Sequence, residues 1–308
     1  MNEVIKTIQY VGIDIGRGYV KGYSEHKGQK HQCMFKSLFS IGKNMDLSEY
    51  DNPIFLEIDK AKYFFGDLAE KEGHCKTNNF KDDKTSLTAE LLLKAALSQL
   101  AVEGQVKVML GVPYKTYRKS ELEKIKSHYK GMKFTVTDKV TGDKKDITIV
   151  DISIFREADA ALLWTVRGNN DFKNIPVALA SVGFRTTELA YFDKGLKFND
   201  AKSNTLELGN MTALEYIEDQ LNQEGTKHTL SEIDSSNDYD EYKKIAYHVV
   251  SERIESEIER TWINLKEIAV FIAGGTALNL NINHELIEEP QMATSKGLWY
   301  VARKIFAK

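Results

Sequence analysis

The sequence predicts an α/β chain of two domains, each built on a mixed sheet flanked by helices. Three observations carry that reading. Residues 11–22 and 175–192 each run from an apolar strand through a glycine-cornered turn into a second β-prone stretch, so one hairpin device occurs in each half. Residues 268–278 run from a fully apolar strand into Gly274-Gly275 and a short helix, as strands do where a ligand lies at their carboxyl ends. Between the hairpins, a helix, a strand, a Gly-x-Pro stop and a second helix form an α/β unit. At 308 residues the chain is long enough for two cores.

Composition narrows the function classes. The chain is 42% hydrophobic and 28% charged, with a net charge of -3, so no overall basic field recruits nucleic acid directly. Cys33 and Cys75 lie far apart and form no CxxC site. They fit a reducing compartment as structural thiols, with a single bridge the alternative. Residues 1–10 lack the apolar core of a signal peptide, and no apolar run approaches the ~20 residues that cross a bilayer. A cytoplasmic protein is expected. No Ser-His-Asp order, HExxH or His/Cys metal spacing is present.

In order along the chain, the first hairpin ends its apolar run at Asp14 and turns through Gly16, Arg17 and Gly18 to Lys21. Glycines let the backbone approach an anion, turn N–H groups cradle phosphate oxygens, and a carboxylate there holds a cation directly or through water. The same residues also describe an ordinary turn with a solvated Asp and Lys. A third strand is expected at 31–36. Residues 41–85 read as polar and irregular except for one hairpin, 54–58 and 63–66, around Asp59-Lys60-Ala61-Lys62, which suggests a small inserted lobe. A helix is expected over 86–101, capped by Thr88 or Ser86, with Leu87, Leu91, Leu92, Ala95 and Leu100 on its apolar face.

Strand 106–110 ends at Gly111-Val112-Pro113, followed by a helix over 117–130 and short strands at 134–136 and 146–150. At 154–164 a strand gives way to a small-residue helix with Glu157 at the joint. There an acid complements the helix dipole, whatever else it does. The second hairpin holds Ser181, Gly183, Arg185 and Thr186 in its turn, and Thr186 and Thr187 also suit a strand. Helices are expected over 212–222, capped by Asn210, and over 238–261, with Tyr242, Ile245, Ala246, Val249, Val250, Ile254 and Ile258 on one stripe. Residues 223–237 read as a surface excursion. The final segment places Leu298, Trp299, Ala302, Ile305 and Phe306 beside Arg303, Lys304 and Lys308. It reads either as a helix docked on its own domain or as a basic amphipathic end that touches a membrane.

The spacing Asp14-x-Gly16-x-x-x-x-Lys21 resembles the first phosphate motif of the actin-like ATPase superfamily. Gly183, Thr186, Thr187 and Glu188 match its second phosphate motif, with Ser181 where that motif has Asp. The segment 271–278 resembles its adenosine motif, and Glu157 to Ala161 its domain-crossing Glu-x-x-x-Ala joint. Gly66-Asp67-Leu68-Ala69, Gly111-Val112-Pro113 and the closing phrase from Pro290 through Leu298 are similar to the ParM-type plasmid-segregation group. The resemblance covers nearly the whole chain.

It implies an actin-like, ribonuclease-H-like duplicated fold with mixed five-stranded sheets and an interdomain nucleotide cleft. Domain I would span 1–157 with its inserted lobe at about 41–85, domain II 158–290, and a C-terminal helix over 291–308 would return to domain I. The ligands implied are ATP or GTP with Mg²⁺. Asp14 would serve the metal and catalysis, and Glu157 would orient the attacking water. Gly16, Arg17, Gly18, Lys21, Ser181, Gly183, Arg185 and Thr186 would surround the phosphates, and Gly274, Gly275 and Thr276 the nucleoside. Ser181 supplies no charge, which implies slower hydrolysis or a load carried by Asp14 and Glu157. The group's members polymerise head to tail and move plasmids through a DNA-binding adaptor on a centromere-like site, without direct nucleic-acid or membrane contact. The alternative on the same fold is a sugar or acyl kinase. It needs a catalytic Asp that no phrase here clearly provides.

Overall fold

A computed structural model describes residues 8–79, 83–102 and 104–307. The chain divides into two compact units, residues 1–160 with 294–308, and residues 161–293.

In the first unit β1 (Gln9–Ile15), β2 (Tyr19–His26) and β3 (Gln29–Lys36) form an antiparallel meander. The chain continues through β4 (Leu38–Ile41), β5 (Ile54–Ile58), β6 (Ala61–Phe65), α1 (Gly66–Glu72), β7 (His74–Asn78) and α2 (Leu87–Leu100). It then forms β8 (Gln105–Val112), α3 (Lys119–Tyr129), β9 (Lys133–Asp138), β10 (Lys144–Arg156) and α4 (Glu157–Thr165). Ten strands share one sheet in the order β3-β2-β1-β8-β10-β9-β5-β6-β4-β7. Only the β1–β8 and β8–β10 pairs are parallel, so the sheet is mixed, as expected.

The sheet exceeds the five strands expected: β3 to β9 already make six in line, and β5 pairs with β9, from Leu56↔Asp138 to Ile58↔Val136, carrying the 41–85 segment onto the sheet edge. That segment keeps a small core of its own, Leu38, Phe55, Phe64, Leu68 and Ala69. Its turn is tighter than expected, because Asp59 and Lys60 both take positive φ (49° and 75°) and let β6 begin at Ala61. Such a two-residue turn matches the twist of the flanking strands. The two strands expected around 146–156 are one strand, β10. A register shift between Ile149 and Asp151 breaks its alternation. Of the two candidate caps on α2 the structure uses Ser86, whose Oγ accepts from the Ala89 N–H at 3.2 Å. Leu87, expected on the buried face, is exposed in the first turn. Both cysteines are free, Cys33 buried and Cys75 exposed.

The second unit contains β11 (Val177–Val182), β12 (Thr187–Asp193), β13 (Lys197–Phe198) and β14 (Asn204–Leu206), then α5 (Asn210–Gln223), α6 (Leu230–Ser235), α7 (Asp240–Thr261), β15 (Ala269–Ala273) and β16 (Glu285–Leu286). Its sheet runs β13-β12-β11-β15-β16, with β14 beside β12. Helix α6 lies in the stretch expected as a surface excursion. Its start is a capping box in which the Thr229 N–H donates to Glu232 and the Glu232 N–H to Thr229. Helix α7 buries Ala246, Tyr247, Val250, Ile254 and Ile258, while Ile245 is 56% exposed and Val249 also faces out. The stripe is rotated because Ser251 occupies the buried face, its Oγ donating to Tyr247 O (2.7 Å) and accepting from the Asn281 N–H (3.0 Å).

Helix α8 (Ala293–Phe306) returns to the first unit and crosses β1 at Gly12, where a Cβ would lie 2.3 Å from both Ser295 O and Trp299 N. Trp299 packs edge-on against Tyr23 at 5.3 Å, and Leu298, Val301 and Ala302 are buried, whereas Ile305 is exposed. Of the two readings of this segment, docking on its own domain is the one observed. Among the described residues no helix is long and apolar enough to cross a membrane.

Candidate functional site

The two glycine-cornered hairpins are built alike. In the first, the Gly16 N–H donates to Tyr19 O at 3.1 Å. In the second, the Gly183 N–H donates to Thr186 O at 2.9 Å. A Cβ would meet that same carbonyl in each case, 2.7 Å away at Gly16 and 3.2 Å at Gly183. Both leading strands also have a parallel neighbour, β8 beside β1 and β15 beside β11. The β2-β1-β8 and β12-β11-β15 triplets are therefore two copies of one arrangement, with each turn at the carboxyl ends of the parallel strands. Open α/β sheets bind ligands there.

Register fixes which residues correspond. Asp14 lies opposite Lys21, and Ser181 opposite Glu188, each pair two residues before and five after its glycine. Directly opposed residues share a face of the hairpin. Asp14 is 7% exposed, and its Oδ1 is buried with no hydrogen-bond partner among the described residues. A buried carboxylate oxygen left so is costly unless a cation or bound water completes it. The site therefore fits the hydrated metal that the resemblance implies. Glu188, also buried, accepts from Thr205 Oγ1 at 3.0 Å, placing a carboxylate across the ladder from Ser181.

The first turn is held from behind. Ser37 Oγ donates to Gly16 O (2.6 Å), the Ser37 N–H to Gly18 O (2.8 Å), and Asn79 Nδ2 to Gly16 O (3.2 Å). Each peptide points its N–H opposite to its C=O, so the Arg17 and Tyr19 amides are turned away from those bonds, as an anion cradle requires. Lys84 Nζ donates to Ile15 O at 2.7 Å and lies 3.5 Å from Glu157 Oε1, so the turn and the start of α4 meet at one buried ammonium. Gly111 makes room for Glu157, since a Cβ there would be 2.8 Å from Glu157 Cγ. The first unit thus brings Asp14, Gly16, Arg17, Gly18, Lys21 and Glu157 to one end of its sheet. Lys84 was not read from the sequence. It sits in a polar stretch without periodicity, and the nearest signal is the helix cap expected at Ser86 or Thr88.

In the second unit Ser181, Gly183, Thr186, Gly274, Gly275 and Thr276 come together. Thr276 Oγ1 donates to Gly183 O at 2.9 Å, joining the Gly-Gly bend to the hairpin turn. Gly274 has φ +96°, and a Cβ there would lie 2.1 Å from Val182 O, so only glycine fits. A four-residue 3₁₀ turn, Thr276–Asn279, follows where a short helix was expected. Arg185 points outward, with its Nε 3.5 Å from Glu207 Oε2. The α5 N-terminus cradles the turn, with the Asn210 N–H donating to Gly183 O (3.2 Å) and the Met211 N–H to Phe184 O (2.7 Å). Asn210 is not the expected cap. It lies inside α5, donates to Asp234 (3.0 Å) and accepts from Tyr247 OH (2.7 Å), and Gly209 takes the cap position.

Residues 12–158 match the family model described as the N-terminal domain of actin-like proteins. The chain also superposes on a 15-stranded ParM filament from Clostridium botulinum with a TM-score of 0.81 at 20% identity, covering 97% of this chain and 100% of that one. The chain has an actin-like fold. An archaeal actin homolog matches with a TM-score of 0.78 at 16% identity, covering 97% and 99% of the two chains. Bacillus thuringiensis ParM with ATP matches at 0.67 and 15% identity, covering 98% and 100%. At these identities the likeness is one of fold. No curated protein matches the sequence. The duplicated triplets are thus the repeated core of an actin-like fold, and the family match ends at the second residue of α4.

Proposed function

We propose that this actin-like chain binds ATP or GTP with Mg²⁺, hydrolyses it, and polymerises head to tail. The observation that carries the reading is the repeated hairpin, whose first copy holds a buried Asp14 oxygen with no hydrogen-bond partner among the described residues, beside a turn that presents amides. Bound Mg²⁺ would supply the charge that offsets the phosphates. Asp14 Oδ1 would accept from a water on that metal, and Gly16, Arg17, Gly18 and Lys21 would fix the phosphate oxygens. Gly183 and Thr186, with Ser181 and Arg185, would do the same from the second unit, while the Gly274-Gly275-Thr276 bend would seat the nucleoside. Glu157 would orient the attacking water, the positioning on which phosphoryl transfer chiefly depends.

A head-to-tail contact that does not close generates a filament, in keeping with the ParM filament the chain resembles in fold. In the cytoplasm such a filament would move plasmid DNA through an adaptor bound to a centromere-like site. The net charge of -3 suits DNA contact through an adaptor rather than by this chain. Negative-stain microscopy and pelleting with ATP, GTP, ADP and no nucleotide, alongside phosphate release, test the reading. Nucleotide-dependent filaments with phosphate release are expected. Asp14→Ala should end phosphate release, and Glu157→Ala should retain binding while giving long-lived polymers. A wild-type chain that binds no nucleotide would refute the proposal.

A further inference from the structure

We infer that Lys84 is a positioning residue for hydrolysis. Its ammonium holds the Glu157 carboxylate in register with the β1–β2 turn. This rests on the nucleotide reading above and names a residue that reading does not use.

The first observation is burial. Lys84 is 7% exposed, and burying an ammonium is costly unless strong partners replace its water. It donates to both parts of the candidate site, Ile15 O at 2.7 Å and Glu157 Oε1 at 3.5 Å. A lysine kept only for packing would be replaced by an apolar side chain at no such cost.

The second observation is rigidity at its base. Asp83 Oδ1 accepts from the Thr85 N–H (2.9 Å) and Thr85 Oγ1 (2.7 Å), and the Ser86 N–H donates to Asp83 O (3.2 Å). Tyr129 OH donates to the carbonyl of Lys84 itself at 2.5 Å. The backbone is thus fixed at the start of α2 and tied to the end of α3. The third observation is at Glu157, which Gly111 confines on one side while Lys84 meets its carboxylate. A carboxylate gripped between a backbone and a cation has few rotamers left, which is what orienting a water requires.

Other charged groups on the surrounding elements are Asp14 and Lys21 on the first hairpin, Arg156 paired with Asp159, and Asp83 paired with Lys124. Lys115, Arg118 and Glu121 join Lys84 in lining a pocket of about 460 Å³. Among these, Lys84 meets the Glu157 carboxylate at 3.5 Å.

The test is Lys84→Gln, which keeps an N–H donor for Ile15 O but removes the charge, beside Lys84→Arg, which restores it. With saturating ATP and Mg²⁺, Lys84→Gln should bind nucleotide within about threefold of wild type and lose roughly ten- to a hundredfold in kcat. The acid limb of its kcat–pH profile should move up, because Glu157 has lost its cation. Lys84→Arg should regain most of both. The double variant with Glu157→Gln should be no slower than Glu157→Gln alone, since one residue acts through the other. A wild-type chain that turns over ATP while Lys84→Gln matches it in kcat and pH profile would overturn this inference alone. So would additive losses in the double variant. Should Lys84→Gln fail to fold, wild-type kcat and pH profile in Lys84→Met would overturn it equally. A wild type that binds no nucleotide would overturn the functional reading and this inference with it.

Discussion

Replacing Gly12 with alanine should detach α8 from the first unit. The added methyl would sit 2.3 Å from Ser295 O and Trp299 N and 2.9 Å from the Leu298 carbonyl carbon, where ordinary contact begins at 3.4 Å. Those are helix backbone atoms, so no rotamer change relieves the clash, and α8 must withdraw by about 1 Å (3.4 minus 2.3). The withdrawal loosens Leu298, Trp299, Val301 and Ala302, all buried, and the Tyr23–Trp299 edge contact. Overpacking a core typically costs ~1–3 kcal/mol, and loss of a large buried side chain's contacts ~3–5 kcal/mol. A cost of about 3 kcal/mol in docking is the expectation, which is roughly a hundredfold in the opening equilibrium. Amide hydrogen exchange reads it directly: residues 294–306 should exchange about two orders of magnitude faster, while α7 in the other unit is unchanged. Gly28→Ala is the control, with φ +81° but nothing within 4 Å, and should cost only about 1 kcal/mol of local strain. Protection of α8 within threefold of wild type in Gly12→Ala would refute the close-approach argument.

Three further outcomes follow from the same coordinates. Gly274→Ala should destabilise the second unit by more than about 2 kcal/mol, since φ +96° and Val182 O at 2.1 Å both oppose it; a urea midpoint equal to wild type would contradict this. Burial pushes the Asp159 carboxyl up to about 6 against the pull of Arg156, so the folded chain holds a proton that the unfolded chain, near 3.8, has lost. That contribution is full below pH 4 and disappears as pH rises through 6, worth roughly 2–3 kcal/mol. Asp159→Asn should therefore gain stability relative to wild type between pH 4 and 7, and a constant difference in urea midpoint would sink the idea. Burial likewise pushes the Cys33 thiol up to about 12, while Cys75 is exposed. A maleimide should label one thiol in the native chain and both in denaturant, with Cys75→Ser abolishing the native signal.

Much of the site was legible because its chemistry coincides with backbone punctuation. Gly16 and Gly183 close continuous apolar runs, and Glu157 marks the residue where a long strand becomes a small-residue helix. What escaped was held by tertiary contacts that leave no local pattern. Lys84 looks like any lysine in a polar stretch until Ile15 O and Glu157 are folded against it. Asn210 has the preferred side chain for a cap, yet Asp234 and Tyr247 claim both ends of its amide. Strands β4 and β7 are too short or too polar to alternate, and they form because an edge is available to pair with. Helix α7 kept its length and most of its stripe, burying Ala246, Val250, Ile254 and Ile258, while Tyr247 and Ser251 join that face and Ile245 and Val249 turn outward.

The first unit is discontinuous in the chain, closed by residues 294–308 after an intervening 161–293. A ribosome adding ~5–20 residues per second spends roughly seven to twenty-seven seconds on that intervening stretch. Throughout that interval the nascent first unit presents the Gly12–Tyr23 surface bare, a furrow shaped for a helix not yet made. Completion of one lobe is thereby timed by translation of the other, and a message cut short before residue 294 would release a product with that furrow open to whatever apolar helix it meets.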